Sequence, residues 1–134
     1  MQALTRPNDG EWLAAQAITE LSGIKASANP PERVDGSTPC AQVTQLGCHP
    51  VAETLWRHDL SIDVWAGTAP DWADAWAAAA DVASAIERAG LGQSSHGWRT
   101  ASITNVYSNP DTNRPDVPRV TIAASIDAPG VAII

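Results

Sequence analysis

This chain of 134 residues has no phenylalanine, one tyrosine, one methionine, one lysine and two cysteines, and each scarcity removes a class of explanation. Direct binding to a phosphate backbone draws its affinity from clustered Lys and Arg. Lys25 is the lone lysine, the seven arginines are scattered, and the net charge is -7 with a pI near 4.6. Without Phe, large apolar volume falls to six tryptophans, whose indole N–H groups require a partner or an edge position. No apolar run reaches the roughly 20 residues that span a bilayer. The opening MQALTRPNDGEW lacks the basic start and apolar stretch of a secretory signal, so the expectation is a protein made in a cytoplasm with no membrane partner. In that setting Cys40 and Cys48 are expected as reduced thiols. Cys-x7-Cys-His, with His58 further on, carries zinc-capable atoms but lacks the close ligand pairing of a structural site, so no metal residues are assigned.

The motifs of common chemistries are missing as well. There is no Gly-rich phosphate loop, no HExxH and no nucleophile elbow. Asp71 and Asp74 share one side of a helix start, where capping accounts for them. His49, His58 and His96 sit in or beside different elements. No catalytic or cofactor-binding residue is therefore named, and an enzyme is not expected.

What is present is a well-punctuated α+β pattern. Asn8 or Asp9 caps a first helix, in which Leu13 or Ala14, Ala17, Ile18 and Leu21 recur at helical spacing until Gly23. Residues 27–39 (SANPPERVDGSTP) read as a flexible loop, since three prolines remove backbone donors. Cys40 to Leu46 reads as a weak strand, with Gly47, His49 and Pro50 making a turn. From Leu55 to Trp65 the alternation is clear: Trp56, His58, Leu60, Ile62 and Val64 on one face, Arg57, Asp59, Ser61 and Asp63 on the other. A second helix runs from Asp71 to Gly90, with Trp72, Ala75, Trp76, Ala79, Val82, Ala83 and Ile86 as its apolar stripe.

After a polar connection at 93–97, two more strands are expected. In the first, from Trp98 to Ser108, the adjacent Val106 and Tyr107 break the alternation, as a bulge would. The last, RVTIAASIDA, turns Val120, Ile122, Ala124 and Ile126 one way. The loop at 109–118 is too long and proline-rich for a tight turn, so it is expected to project beyond the sheet with Asp111, Arg114 and Asp116. The tail at 129–134 ends in VAII, which calls for something to dock on. The sum is a single domain spanning 1–134: a small antiparallel or mixed four-stranded sheet with two helices packed on one face.

The order and character of these elements over about residues 8–128 resemble the tail terminator (tail completion) proteins of long-tailed bacteriophages. The telling portion is Leu60 to Gly90, a strand ending in IDVWAG, a short Asp-capped break and an Ala-rich helix; RVTIAASIDA is similar to that family's last strand. The resemblance implies a homo-hexameric ring that caps the head-proximal end of the tail tube, stops its polymerisation and gives the head or neck a surface to attach to. Its partners would be further copies of itself, the tail tube protein and a head or neck connector protein. DNA would pass through an acidic lumen without specific binding, and the protein would end up in the virion. On this reading the contact elements are loop 27–39 with Arg33, loop 109–118 with Asp111, Arg114 and Asp116, and the tail with Ile133 and Ile134. Trp56 and Trp65, at opposite ends of one strand, are the candidate anchors, and Asp63 and Asp127 the candidate lumen acids. Two alternatives stand beside it: another head–tail joining protein of the stopper or neck type, and a small cytoplasmic ligand- or zinc-binding domain using the cysteines and histidines.

Overall fold

A computed structural model describes residues 4–89 and 98–133. Helix α1 spans Gly10–Ser22 and starts where Asp9 Oδ1 accepts the Trp12 amide at 3.0 Å. It ends at Gly23, whose φ of 77° is the left-handed conformation that closes a helix without steric cost. Ala14, Ala15, Ala17 and Ile18 form its buried face. Four strands then form an antiparallel core: β3 (Cys40–Ala52), β4 (Leu55–Trp65), β5 (Thr100–Ser108) and β6 (Arg119–Pro129). The sheet has a fifth member, β2 (Lys25–Ser27), parallel to the start of β3, and the strand order is β2-β3-β4-β6-β5. A separate two-stranded ribbon joins β1 (Thr5–Arg6) to β7 (Val131–Ala132). The expected four-stranded sheet is thus corrected to a mixed five-stranded sheet plus a ribbon. The missed strands are two or three residues long and exist only through their partners, so periodicity cannot show them.

Helix α2 (Ala73–Ala89) begins where Asp71 Oδ1 accepts the Ala73 amide at 3.0 Å, and its Ala75, Ala79, Val82 and Ile86 are fully buried. Both helices lie on one face of the sheet. Against them stand Val43, Leu60, Ile62, Val64, Val120, Ile122 and Ile126, all fully or almost fully buried. The expected helix end at Gly90 and the connection bearing His96 lie outside the described residues.

Strand β3 corrects a second expectation. It does not turn at Gly47–Pro50 but runs on to Ala52, pairing with β4, with register shifts at Leu46 and at Val51. The bulge at Leu46 absorbs the break in alternation. Pro50 is tolerated because β2 flanks only Cys40–Gln42, so at Pro50 β3 is an edge strand, where proline is accommodated. The β5 bulge is real but falls at Thr104, between Ile103 and Asn105, before the Val106–Tyr107 pair. Helix α2 departs from its expected stripe at one point: Trp76 is 42% exposed. Alanine surrounds most of that helix, so its pattern leaves the rotation loosely defined.

Two glycines hold the long 27–39 segment down. Gly36 has φ 75°, a Cβ there would lie 2.0 Å from the Gly67 carbonyl oxygen, and the Gly67 amide donates to the Gly36 carbonyl at 2.8 Å. Asp35 Oδ1 accepts the amides of Ser37 and Thr38 as well, forming the turn.

Candidate assembly surfaces

With the helices on one side, register fixes what the other side of the sheet shows. Pairing places Gln42, Thr44 and His49 of β3 beside Asp63, Ser61 and Arg57 of β4. These lie beside Thr121, Ala123 and Asp127 of β6, and Tyr107, Asn105, Ser102 and Thr100 of β5 complete the face. It is polar, and among the described residues it is open except at its Trp65 end, where loop 109–118 covers Trp65 and Asn109 donates to the buried Thr121 hydroxyl at 3.0 Å. Both candidate lumen acids stand here. Asp63 accepts the Thr121 hydroxyl at 2.6 Å. Asp127 is gripped by the Arg57 fork at 2.8 and 3.0 Å and by Thr100 Oγ1 at 3.1 Å. That grip holds the Asp127 carboxyl below its ordinary value. Arg57 therefore offsets much of the charge Asp127 would lend to this face.

At the Trp65 end, structure overrides expectation. Loop 109–118 does not project. It folds back so that Asp111, 6% exposed, accepts the Trp65 indole N–H at 3.1 Å and the Asn113 amide at 3.0 Å. Arg114 reaches the same carboxylate at 3.4 Å and Arg119 lies 3.8 Å away, and both guanidinium groups sit over the Trp65 ring at 5.7 and 5.9 Å. Burial works to raise the Asp111 pKa, but these donors outweigh it and the carboxyl lies below its ordinary value. Arg114 also donates to the Pro31 carbonyl at 3.1 Å, tying this loop to the 27–39 segment. Trp65, at 2% exposure, presents no surface to a neighbour. Its candidacy as a contact anchor is corrected, and so is that of Asp111: both shape the loops internally. Arg33 and Asp116 remain exposed on the loops so positioned.

The opposite end is built by the ribbon. The Trp56 indole is half-buried and donates to Thr5 Oγ1 at 3.1 Å. Gly130 donates to the Thr54 carbonyl at 2.7 Å, and the Ile133 amide donates to the Leu4 carbonyl at 2.8 Å. The tail is therefore a paired strand end, which still leaves Leu4, Val131 and Ile133 exposed. Ile134 lies outside the described residues.

The zinc-capable atoms are dispersed. Cys40 pairs across from Trp65 on the open face, whereas Cys48 pairs across from His58 on the helix side. Eight residues of strand at about 3.3 Å each separate the thiols by about 25 Å. His58 is fully buried, with Nδ1 3.1 Å from Gln45 Oε1, and burial lowers its pKa. His49 is exposed on the open face and His96 lies outside the described residues. Among the described residues no group of three or more His, Cys, Asp or Glu is placed to hold a metal ion, and no helix is long and apolar enough to cross a membrane.

Sequence reasoning missed two exposed indoles, Trp12 at 56% and Trp76 at 42%. Trp12 lies two positions before Ala14, the first residue of the buried stripe of α1, and its place just inside the Asp9 cap was the available signal.

No family model matches this chain, and no curated protein matches it. Among solved structures, a chain of the structure titled "Virion of native gene transfer agent (GTA) particle" aligns with a TM-score of 0.63 at 22% identity. The alignment covers 90% of this chain and 96% of that one. What the two share is the fold.

Proposed function

We propose that this protein is a structural subunit of a phage-like particle, acting by assembly rather than turnover. Copies of it form a homo-hexameric ring on the head-proximal end of a tail tube, end tube polymerisation and present the surface on which a head or neck connector docks. The observation that supports this is the fold shared over nine tenths of the chain with a chain of the gene transfer agent virion. The exposed apolar groups at the ribbon and on the helices suit a chain that buries them against neighbours.

In the ring, the open part of the polar sheet face turns toward the passage. Asp63 and Asp127 then belong to its wall, with Asp63 the stronger contributor because Arg57 offsets Asp127. Such a wall repels the DNA backbone and lets it pass without binding. Contacts to tube and neck fall to Arg33, Asp116, Trp56 and the ribbon beside it, the terminal Ile133 and Ile134, and the loop surface that Arg114 holds in place. A ring structure with Asp63 and Asp127 on the outer rim would remove the lumen assignment.

The test is a deletion in a particle-producing host. Tails of uncontrolled length and heads left unjoined are expected, with joining restored by adding the purified protein to extracts. Normal-length tails joined to heads in the deletion strain would overturn the proposal.

A further inference from the structure

The two lateral edges of the sheet differ in a way that bears on how copies meet. Strand β5 is the terminal strand on one side, so among the described residues the backbone groups along its outer edge have no sheet partner. Natural edge strands are usually blunted by charge or proline. All nine residues of β5, TASITNVYS, are uncharged and none is proline, leaving the bulge at Thr104 as its one interruption. Above this edge runs α2. Its Asp74 and Asp81 flank lies beside Ile24 and the 36–39 turn, on the α1 side. Helical spacing places Trp72, Trp76 and Ala83 on the opposite flank, over β5, with Ala80 nearer the outward face and the exposed Glu87 at the flank's C-terminal end. Trp76 and Ala80 are exposed there. Beneath them Trp72, Ala83, Ala101, Ile103 and Val106 pack against the core without being fully covered. An open strand edge and an incompletely covered apolar flank thus form one continuous strip.

The other side is closed differently. Strand β2 has three residues, and the outward Ala26 amide is already taken by the Thr19 hydroxyl at 3.1 Å. What this side offers is a groove of about 430 Å³ between α1 and residues 26–29, lined by Trp12, Ala15, Thr19, Ala26, Ser27 and Asn29 among others. One edge projects an indole beside an open strand. The other offers a groove with an indole at its rim, the polar groups of Ser27 and Asn29, and the carboxylates of Asp9 and Glu20 along its lining.

From this pairing we infer that the β5–α2 edge of one copy docks into the α1–β2 edge of the next, with Trp76 seated in the groove and Trp12 laid along Ala80 and Ala83. The occupant is a second copy because the two edges complement each other on one chain. Strands β5 and β2 also run in opposite directions within the sheet frame, so successive sheets meet in the antiparallel sense. Each contact uses two different patches, the heterologous arrangement that closes rings. The inference rests on the ring proposed above and supplies its subunit interface.

The test is complementation between two edge variants, Trp76→Glu and Trp12→Glu, read by light-scattering mass. Both side chains face solvent in the isolated chain, so circular dichroism and thermal midpoints should match wild type; Ala80→Arg is a second probe of the first edge. Each variant alone should lose the ring, its self-association weakened at least about tenfold. Mixed one to one, they should form a species of about 28 kDa and nothing larger, because one intact edge remains on each. Variants that keep the wild-type ring, or that fail to complement, would overturn the interface and leave the ring reading standing. A wild-type chain that stays monomeric at all concentrations and on tube ends removes both.

Discussion

Asp111 is where the fold of the Trp65 end can be tested by one substitution. Its carboxylate receives the Trp65 indole and the Asn113 amide, holds Arg114 at 3.4 Å and lies 3.8 Å from Arg119. Asp111→Ala leaves a buried indole N–H and a loop amide unsatisfied, at about 1–3 kcal/mol for a group that loses its partner. It also releases two arginines, whose side chains are 34% and 20% exposed and can regain water, so this second loss is small. The net expectation is a loss of about 2–3 kcal/mol. For a domain of this size that corresponds to a fall in Tm of roughly 8–12 °C. Urea and thermal denaturation would measure it. Trp65→Phe removes the donor from the same bond, so the double variant should cost less than the two singles together, by about 1 kcal/mol. The sign of the pH effect is set as well. The folded Asp111 carboxyl ionises more readily than the unfolded one. Its stabilisation is therefore complete above the unfolded value of about 3.9 and is lost as pH falls through the lower folded value. Asp111→Asn should flatten that acid limb. A stability loss below about 0.5 kcal/mol, or strictly additive singles, would refute the claim that this carboxylate pins the loop.

Three other perturbations test separate joints. A Cβ at Gly10 would lie 2.6 Å from His58 Nδ1 and 2.8 Å from Gln45 Oε1, so Gly10→Ala should destabilise by about 1–3 kcal/mol despite alanine's helix preference, measured by denaturant midpoint. Gly36→Ala combines a left-handed φ with a backbone clash against Gly67, and at least about 3 kcal/mol should be lost; a neutral result would show that the 27–39 segment is not held there. Burial lowers the His58 pKa against the opposing pull of Asp127, Asp9 and Asp59, so neutral His58 favours the folded state. Its contribution is present above the unfolded value of about 6.5 and is lost as pH falls through the folded one. A melting curve series from pH 7.5 to 5 should show the decline, and His58→Leu should reduce its slope.

Much of the fold was legible because the long elements obey their periods. The alternation of β4 and β6 and the Asp9 and Gly23 caps of α1 are present in the residues and reappear in the structure. The failures have physical causes. The strands at Lys25–Ser27, Thr5–Arg6 and Val131–Ala132 are too short to carry a pattern and are defined by chain meeting chain. A bulge at Leu46 let β3 continue through residues that otherwise read as a turn. Asp111 and Arg114 looked like solvent-facing loop charges, and what draws them inward is the N–H of Trp65, forty-six residues away from Asp111. Trp76 was misplaced because alanine on nearly every side of α2 leaves its rotation undetermined by pattern. The exposure of Arg33, Asp116 and the tail was legible. The helix indoles were not, because exposure of a tryptophan follows from tertiary placement rather than from its neighbours in sequence.

The central claim is that this chain builds a closed ring, and the most direct measurement is the solution mass of the purified protein combined with electron-microscope images of the same sample. The account predicts a species of about 85 kDa, six copies of a 14.1 kDa chain, with a central opening, or a monomer that reaches that state on tail-tube ends. A stable 14.1 kDa monomer that neither assembles nor binds tube ends would contradict it.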